Sequence, residues 1–278
     1  MRIWLTGIFL TVSVSVFLLG GNTLSNGATP SPAAQAKRAK TTEGIDWNDP
    51  AAVAALRQVL SRDALSRVRR YALSHRMGFR SRDLTHWIAG IYFAREGGRD
   101  VAWVVAASKP RRNFECHACY PKLSILVYAQ AAPNRWQLTG QGYETFESSY
   151  GWGNAPDEKN MALVHIAPDK VALAVRSSFF NMGWEEDYYA LYRVERDRGH
   201  QILFTQIHTD NKAADSKPFT DWSTELRLRP SKESPWCEIY LKRRGIDEGR
   251  PMDQTVVYRY SNGSYRPIGD DPVMKWRR

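Results

Sequence analysis

A repeating pattern of short apolar runs and turn residues extends from residue 83 to residue 268 and constrains the fold more than any other feature. The runs are rich in Val, Ile, Tyr, Trp and Leu, and Gly, Pro, Asn and Asp separate them. Residues 85–94 and 101–107 flank the adjacent glycines Gly97 and Gly98, which supply the positive φ angles of a tight hairpin turn. The pattern predicts sequential antiparallel hairpins.

The same arrangement recurs down the chain, for example at residues 161–177 across Pro168-Asp169 and at residues 254–268 across Asn262-Gly263. Sequential hairpins that each bury one apolar face must stack into layers or curl around a core. We therefore predict a mainly β fold, an antiparallel meander of about eleven strands. It packs as a sandwich or a partly open barrel.

A basic helical segment, residues 47–82, is predicted ahead of this β-rich domain of residues 83–278. Asn48 or Asp49 can cap a helix that has Pro50 in its first turn. The spacing of apolar residues predicts one or two short amphipathic helices. The apolar positions are Val53, Leu56, Val59 and Leu60 before residue 61, then Leu65, Val68 and Ala72.

The N-terminus has the order of a secretory signal: Met1 and Arg2 precede an almost unbroken apolar and small stretch at residues 3–21. We predict a signal peptide at residues 1–28, with cleavage as late as residue 36, and a linker at residues 29–46 that is rich in small residues. The mature protein is then periplasmic or secreted. An uncleaved N-terminal anchor is the alternative.

The formal net charge of +10 is concentrated near the N-terminus. Residues 37–82 hold eleven Lys or Arg and four acids, whereas residues 83–278 are nearly neutral. In an exported protein, a basic segment suits an anionic membrane or wall surface and argues against a nucleic-acid partner. The other interpretation is a solvated helix face.

The pair Cys116 and Cys119, in the sequence Cys-His-Ala-Cys, is the strongest chemical motif. Behind an export signal, a loop disulfide is the first interpretation. A redox pair would need a helix after the first cysteine, and Pro121 opposes that helix. Metal binding, free thiols and a bond to Cys237 are the remaining alternatives.

Aromatic residues near two Trp-Gly combinations suggest an exposed binding surface for a cell-envelope ligand or protein partner. The candidate residues are Tyr150, Trp152, Trp184 and Tyr188. Core packing is the competing interpretation of each ring.

We find no nucleophile elbow, phosphate-binding loop, zinc-protease motif or dinucleotide fingerprint. The acidic run from Glu185 to Asp187 favours a solvated loop, because three consecutive carboxylates do not converge easily on one point. No catalytic residue, cofactor or metal site is therefore predicted, and a non-enzymatic function is favoured.

The sequence Cys116-His117-Ala118-Cys119, together with the later stretch Trp152-Gly153-Asn154-Ala155-Pro156, resembles exported bacterial proteins of uncharacterised function. Those proteins pair a C-H-A-C loop with a later W-G-x-x-P stretch. The resemblance covers roughly residues 100–195. It implies a shared β-rich domain and no activity.

These observations predict an exported, non-enzymatic cell-envelope protein that acts as a binding or accessory module with a C-x-x-C loop disulfide. The alternative is a periplasmic thiol-disulfide redox or metal-binding protein that uses Cys116 and Cys119. The two hypotheses place function at different sites, the aromatic surface and the cysteine loop.

Overall fold

One long helix precedes two antiparallel sheets in the computed structural model, which describes residues 45–75, 77–114, 119–147, 154–214 and 217–273. The predicted signal peptide and all but the end of the predicted linker lie outside these ranges. In the described part of the chain, no helix has the length and apolarity needed to cross a membrane.

Helix α1 (Pro50–Ser74) begins at the predicted cap, where the Asp49 carboxylate accepts a hydrogen bond from the Ala51 amide at 2.9 Å. The two predicted helices are one continuous element, because Ser61 and Arg62 join them without a glycine or proline. Val59 was predicted on the apolar face but is 61% exposed. The buried stripe instead recurs every fourth residue, at Leu56, Leu60, Ala64, Val68 and Ala72.

The first sheet is a four-stranded meander in the order β1-β2-β3-β4. Its strands are β1 (Leu84–Glu96), β2 (Arg99–Pro110), β3 (Lys122–Ala132) and β4 (Arg135–Glu147). The β1–β2 turn is the predicted double-glycine hairpin, and both glycines have positive φ.

The second sheet has eight strands in reverse sequence order, from β12 to β5. Its first half contains β5 (Met161–Ala167), β6 (Lys170–Asn181), β7 (Trp184–Glu195) and β8 (Arg198–Asp210). Its second half contains β9 (Asp221–Arg229), β10 (Glu238–Asp247), β11 (Arg250–Ser261) and β12 (Ser264–Pro267). The halves are joined by a short ladder, in which His208 to Asp210 pair with Asp221 to Ser223.

Strands with apolar side chains on both faces hold the layers together. In β2, Trp103 and Val105 pack toward the second sheet, whereas Val104 and Ala106 pack in the cluster that includes helix α1. In β6, alternate residues likewise divide between the inter-sheet cluster and a third cluster with β10, β11 and β12. The sequence of a strand that is buried on both faces is a continuous apolar run, whereas that of a half-buried strand alternates between apolar and polar residues.

The predicted fold class is confirmed: the protein is mainly β, its sheets are antiparallel and layered, and a helix precedes them. Each sheet keeps two edge strands, so the described strands make a sandwich-like arrangement that does not close.

Candidate functional site

The predicted aromatic surface divides into three parts in the structure. Tyr150 and Trp152 lie outside the described residues. Trp184 is exposed at the start of β7. Tyr188, predicted on the same surface, is only 5% exposed and stacks on Phe204 with ring centroids 5.2 Å apart. Tyr188 therefore does not belong to an exposed surface: it lies on the same face of β7 as Ala190 and Tyr192, which pack in the cluster between the two sheets.

Trp184 stands at the tip of the β6–β7 hairpin with exposed Met182. Exposed Phe180 lies on the opposite face of the hairpin, because Phe180 pairs with Glu185 whereas Trp184 pairs with Asn181. Met182 and Gly183 form the turn and both have positive φ, as a two-residue hairpin turn requires. Met182 is 86% exposed, the highest value among the large apolar residues that are exposed in the described part of the chain. Phe179, Trp184 and other tip residues line a cavity of about 420 Å³.

The hairpin tip packs against the connection between β8 and β9. A Cβ atom added to Gly183 would lie 2.3 Å from the Ala214 amide nitrogen, so the two backbones are in close contact. Asn211, which is fully buried, organises this connection: its side chain donates to the Pro218 carbonyl at 2.9 Å and accepts from the Thr220 amide at 2.9 Å. The connection is therefore a fixed support for the tip.

The β10–β11 turn joins the same end of the molecule. The Gly249 amide donates to the Phe219 carbonyl at 2.7 Å, and the Glu248 amide donates to the Thr220 hydroxyl at 3.1 Å. Three hydrogen-bonded or packed loops thus carry five exposed, large apolar side chains. We call this set the apolar rim: Phe180, Met182, Trp184, Phe219 and Ile246.

Acidic residues surround the apolar rim. The described residues in these loops and within four positions of them carry eight carboxylates, at Glu185, Glu186, Asp187, Asp210, Asp221, Asp247, Glu248 and Asp253. Four basic residues lie in the same segments, at Lys212, Lys217, Arg244 and Arg250. In a protein with a net charge of +10, this end is an acidic region.

The acids differ in how they are compensated. The Lys212 ammonium lies 3.2 Å from an Asp210 carboxylate oxygen and 2.7 Å from an Asp221 oxygen. Burial opposes ionisation of Asp210, but hydrogen bonds from Lys212 outweigh it and lower the pKa of Asp210. Burial and the neighbouring Glu248 instead raise the pKa of Asp247. The two adjacent acids at the β10–β11 turn therefore disfavour each other's ionisation, whereas Lys212 stabilises the ionised form of Asp210.

The cysteine motif is only partly described. Cys116 and His117 lie outside the described residues, so the Cys116–Cys119 disulfide stays a prediction. Cys237 is free and partly buried just before β10, and burial raises the pKa of its thiol. Because Cys237 is a free thiol in the structure, it forms no disulfide with either cysteine of the motif. Among the described residues, no group of three or more His, Cys, Asp or Glu side chains could hold a metal ion.

The basic segment contributes an exposed helix face. Arg62, Arg69 and Arg70 of α1 are exposed, and Arg80 and Arg82 follow on the connection to β1. Arg67 lies elsewhere, in an ion pair with Asp63 at 2.6 Å. Residues 37–44 of the predicted membrane-facing segment lie outside the described ranges.

Comparison with known proteins adds no relative: no protein-family model, no curated protein and no solved structure matched this chain. The site is therefore interpreted from its own residues.

Sequence reasoning found Trp184 but missed the rest of the apolar rim. Phe180 and Met182 carried a usable signal, because a Met-Gly turn between two strand runs places both near a hairpin tip. No comparable sequence pattern predicts that Phe219 and Ile246 lie at this end of the molecule. Their proximity depends on hydrogen bonds between loops that are about 30 residues apart in sequence.

Proposed function

We propose that this protein is an exported, non-enzymatic binding module of the cell envelope, and that it captures its partner at the apolar rim. The observation that carries the proposal is the pair of exposed apolar side chains, Met182 and Trp184, that line one cavity at a supported hairpin tip. Contiguous exposed apolar groups are typical of interaction sites, whereas single exposed apolar residues are ordinary.

The chemistry around the apolar rim selects the class of partner. Eight carboxylates and four basic residues, in the described parts of the three loops and within four positions of them, give this end a net negative charge that repels acidic surfaces. Aromatic and methionine side chains provide apolar contact area with few hydrogen-bond requirements. The partner that fits both properties is a protein segment with apolar and basic side chains.

The basic helix face supports a second part of the proposal, orientation at an anionic membrane or wall surface. Arg62, Arg69 and Arg70 are exposed on α1, away from the acidic loops in sequence. Clustered arginines favour anionic surfaces, and the attraction weakens as salt rises. A Cys116–Cys119 disulfide belongs to this proposal as a structural element of the exported domain.

Cosedimentation with envelope fractions from the source cells tests the partner site. We expect the protein to sediment with the envelope, and Trp184→Ser with Met182→Ser to reduce the bound fraction at least fivefold. Ile268→Ser is the matched control, because Ile268 is an exposed apolar residue just after β12, outside both the apolar rim and the arginine face of α1.

Binding that is equal for the rim variant and for Ile268→Ser would contradict the proposal. Circular dichroism of each variant establishes that the fold is retained. The salt dependence separates the two contacts, because attraction of the arginine face to anionic lipid falls with ionic strength more steeply than apolar contact does.

A further inference from the structure

A deep groove lies between helix α1 and the β3–β4 hairpin, away from the apolar rim. Its volume is about 940 Å³, within the range of small-molecule sites in proteins. One wall is the first half of α1, including Leu56 and Leu60. The other wall is β4, including Trp136 and Leu138.

The groove is elongated and its walls are mostly apolar. The helix residues that line it run from Ala52 to Arg67, which corresponds to about 22 Å along the helix axis. At the end near Ile45, Trp136 is surrounded by Trp47 and Phe93, with ring centroids 6.5 Å and 6.3 Å away. This shape suits a single long aliphatic chain rather than a flat or globular ligand.

The polar groups at one end of the groove satisfy each other. The Asp63 carboxylate accepts from Arg67 Nε at 2.6 Å and from the Tyr128 hydroxyl at 2.8 Å. Burial opposes ionisation of Asp63, but the hydrogen bonds from Arg67 and Tyr128 prevail and its pKa is lowered. This end of the groove therefore has no net charge to offer a ligand.

The β3–β4 turn is different, because it supplies an uncompensated cation. Arg135 lines the groove and makes no ion pair with any residue that the structure describes. Asn134 and Gln137 add amide groups beside it. A guanidinium with neighbouring amides matches a carboxylate or phosphate, which accept hydrogen bonds with two or more oxygens.

We infer that the groove binds a single-chain amphiphile with an anionic head group, its aliphatic chain along Leu56, Leu60 and Leu138 and its head at Arg135. The head group carries a carboxylate or a phosphate. This site shares no residue with the apolar rim, so it stands independently of the partner proposed there.

Isothermal titration of the purified protein with palmitate and with lysophosphatidylglycerol, both below their micelle concentrations, tests this site. We expect saturable binding of one molecule per protein for at least one of these probes. A palmitate-only result identifies a carboxylate head, and a result with lysophosphatidylglycerol alone identifies a phosphate head. Lack of saturable binding by both probes would overturn the inference.

Two variant pairs locate the site. Ala55→Phe fills the groove and is expected to weaken binding at least tenfold, whereas Ala54→Phe, at an exposed helix position that does not line it, leaves binding unchanged. Arg135→Glu is expected to weaken binding of anionic probes at least tenfold and to leave uncharged dodecyl maltoside unaffected. Arg198→Glu, also the first residue of a strand after a hairpin turn, is its control.

Equal affinity of Ala55→Phe and Ala54→Phe would place the ligand elsewhere and contradict the groove. Equal loss for Arg135→Glu and Arg198→Glu would indicate a general charge effect and contradict the head-group assignment. Thermal denaturation of each variant, measured without ligand, ensures that only folded protein is compared.

Discussion

At the scale of single residues, the fully buried ion pair between Arg243 and Asp271 is the most demanding feature of the fold. Arg243 donates to the two carboxylate oxygens of Asp271 at 2.5 and 3.0 Å, and also to Thr205 at 3.2 Å. Tyr258 donates to the same carboxylate. The network joins β10 to the chain after β12, so the C-terminal strands depend on it.

Removal of one side chain of the Arg243–Asp271 pair is predicted to destabilise the fold more than removal of both. Asp271→Leu leaves a buried, uncompensated guanidinium and should lower the free energy of unfolding by about 3–5 kcal/mol. Arg243→Met combined with Asp271→Leu should recover part of that loss, because no buried charge is left uncompensated, although the Thr205 and Tyr258 hydroxyls lose these hydrogen-bond partners. Urea denaturation measures all three proteins. A double variant as unstable as the single one would contradict this account.

The same pair predicts a specific acid sensitivity. Burial raises the pKa of Asp271, but hydrogen bonds from Arg243 and Tyr258 outweigh it, and the net pKa is lowered. Its stabilisation is present in full above the pKa of the unfolded chain, about 3.9, and is lost as pH falls through the folded pKa. Urea denaturation at a series of pH values from about 5 down to about 2 should show a steeper loss of unfolding free energy for the native pair than for the apolar double variant. Parallel profiles of unfolding free energy against pH for the two proteins would contradict this prediction.

The sequence could not predict which aromatic side chains of the candidate site are exposed to solvent. Trp184 and Tyr188 are four positions apart on one strand and therefore point to the same face. Trp184 is exposed because it lies at the turn. Tyr188 is buried because it stacks on Phe204 on the face of β7 that packs toward the first sheet. Alternation along a strand gives the face but not the depth of cover, which depends on neighbouring strands.

At the scale of elements, two adjacent residues of helix α1 differ sharply in the exposed fraction of their side chains. Leu60 is 2% exposed within the cluster between the helix and the first sheet, and Val59 is 61% exposed. Leu60→Ala should lower the free energy of unfolding by about 2–5 kcal/mol, because it leaves a cavity. Val59→Ala should change it by less than about 0.5 kcal/mol. Similar losses in urea denaturation would mean that α1 does not dock as described.

Two hairpin turns give an equally close comparison. Gly183 and Gly263 both have φ near +84°, at +85° and +83°, but only Gly183 touches another backbone. Gly263→Ala should cost about 1 kcal/mol for the left-handed conformation. Gly183→Ala should cost about 1–3 kcal/mol more, because the new methyl group meets Ala214. Equal losses in urea denaturation would show that the β6–β7 tip is not held by the β8–β9 connection.

At the scale of the whole molecule, local patterns predicted the strands well and the layers poorly. Hairpins are local, and turn residues such as Gly97-Gly98 and Asn262-Gly263 mark them directly. The break between the two sheets falls between β4 and β5, in a connection that contains residues outside the described ranges and carries no comparable signal. The groove beside α1 was likewise invisible, since it joins a helix to strands about 80 residues later.

The whole molecule has a basic helix face near one terminus and an acidic, apolar end formed by three loops. These two surfaces differ in charge and in apolar exposure. We propose that the basic helix face binds anionic surfaces and that the acidic, apolar end binds a basic, apolar protein segment. The assignment requires the apolar rim to be in contact with another molecule in the envelope of living cells.

Site-specific photo-crosslinking in intact source cells tests this claim most directly. We would place p-benzoylphenylalanine at position 184 in one protein and at the exposed control position 268 in another. We expect one defined adduct from position 184, recovered in the envelope fraction and absent from position 268. No adduct from position 184, or the same adduct from both positions, would contradict a binding function at the apolar rim.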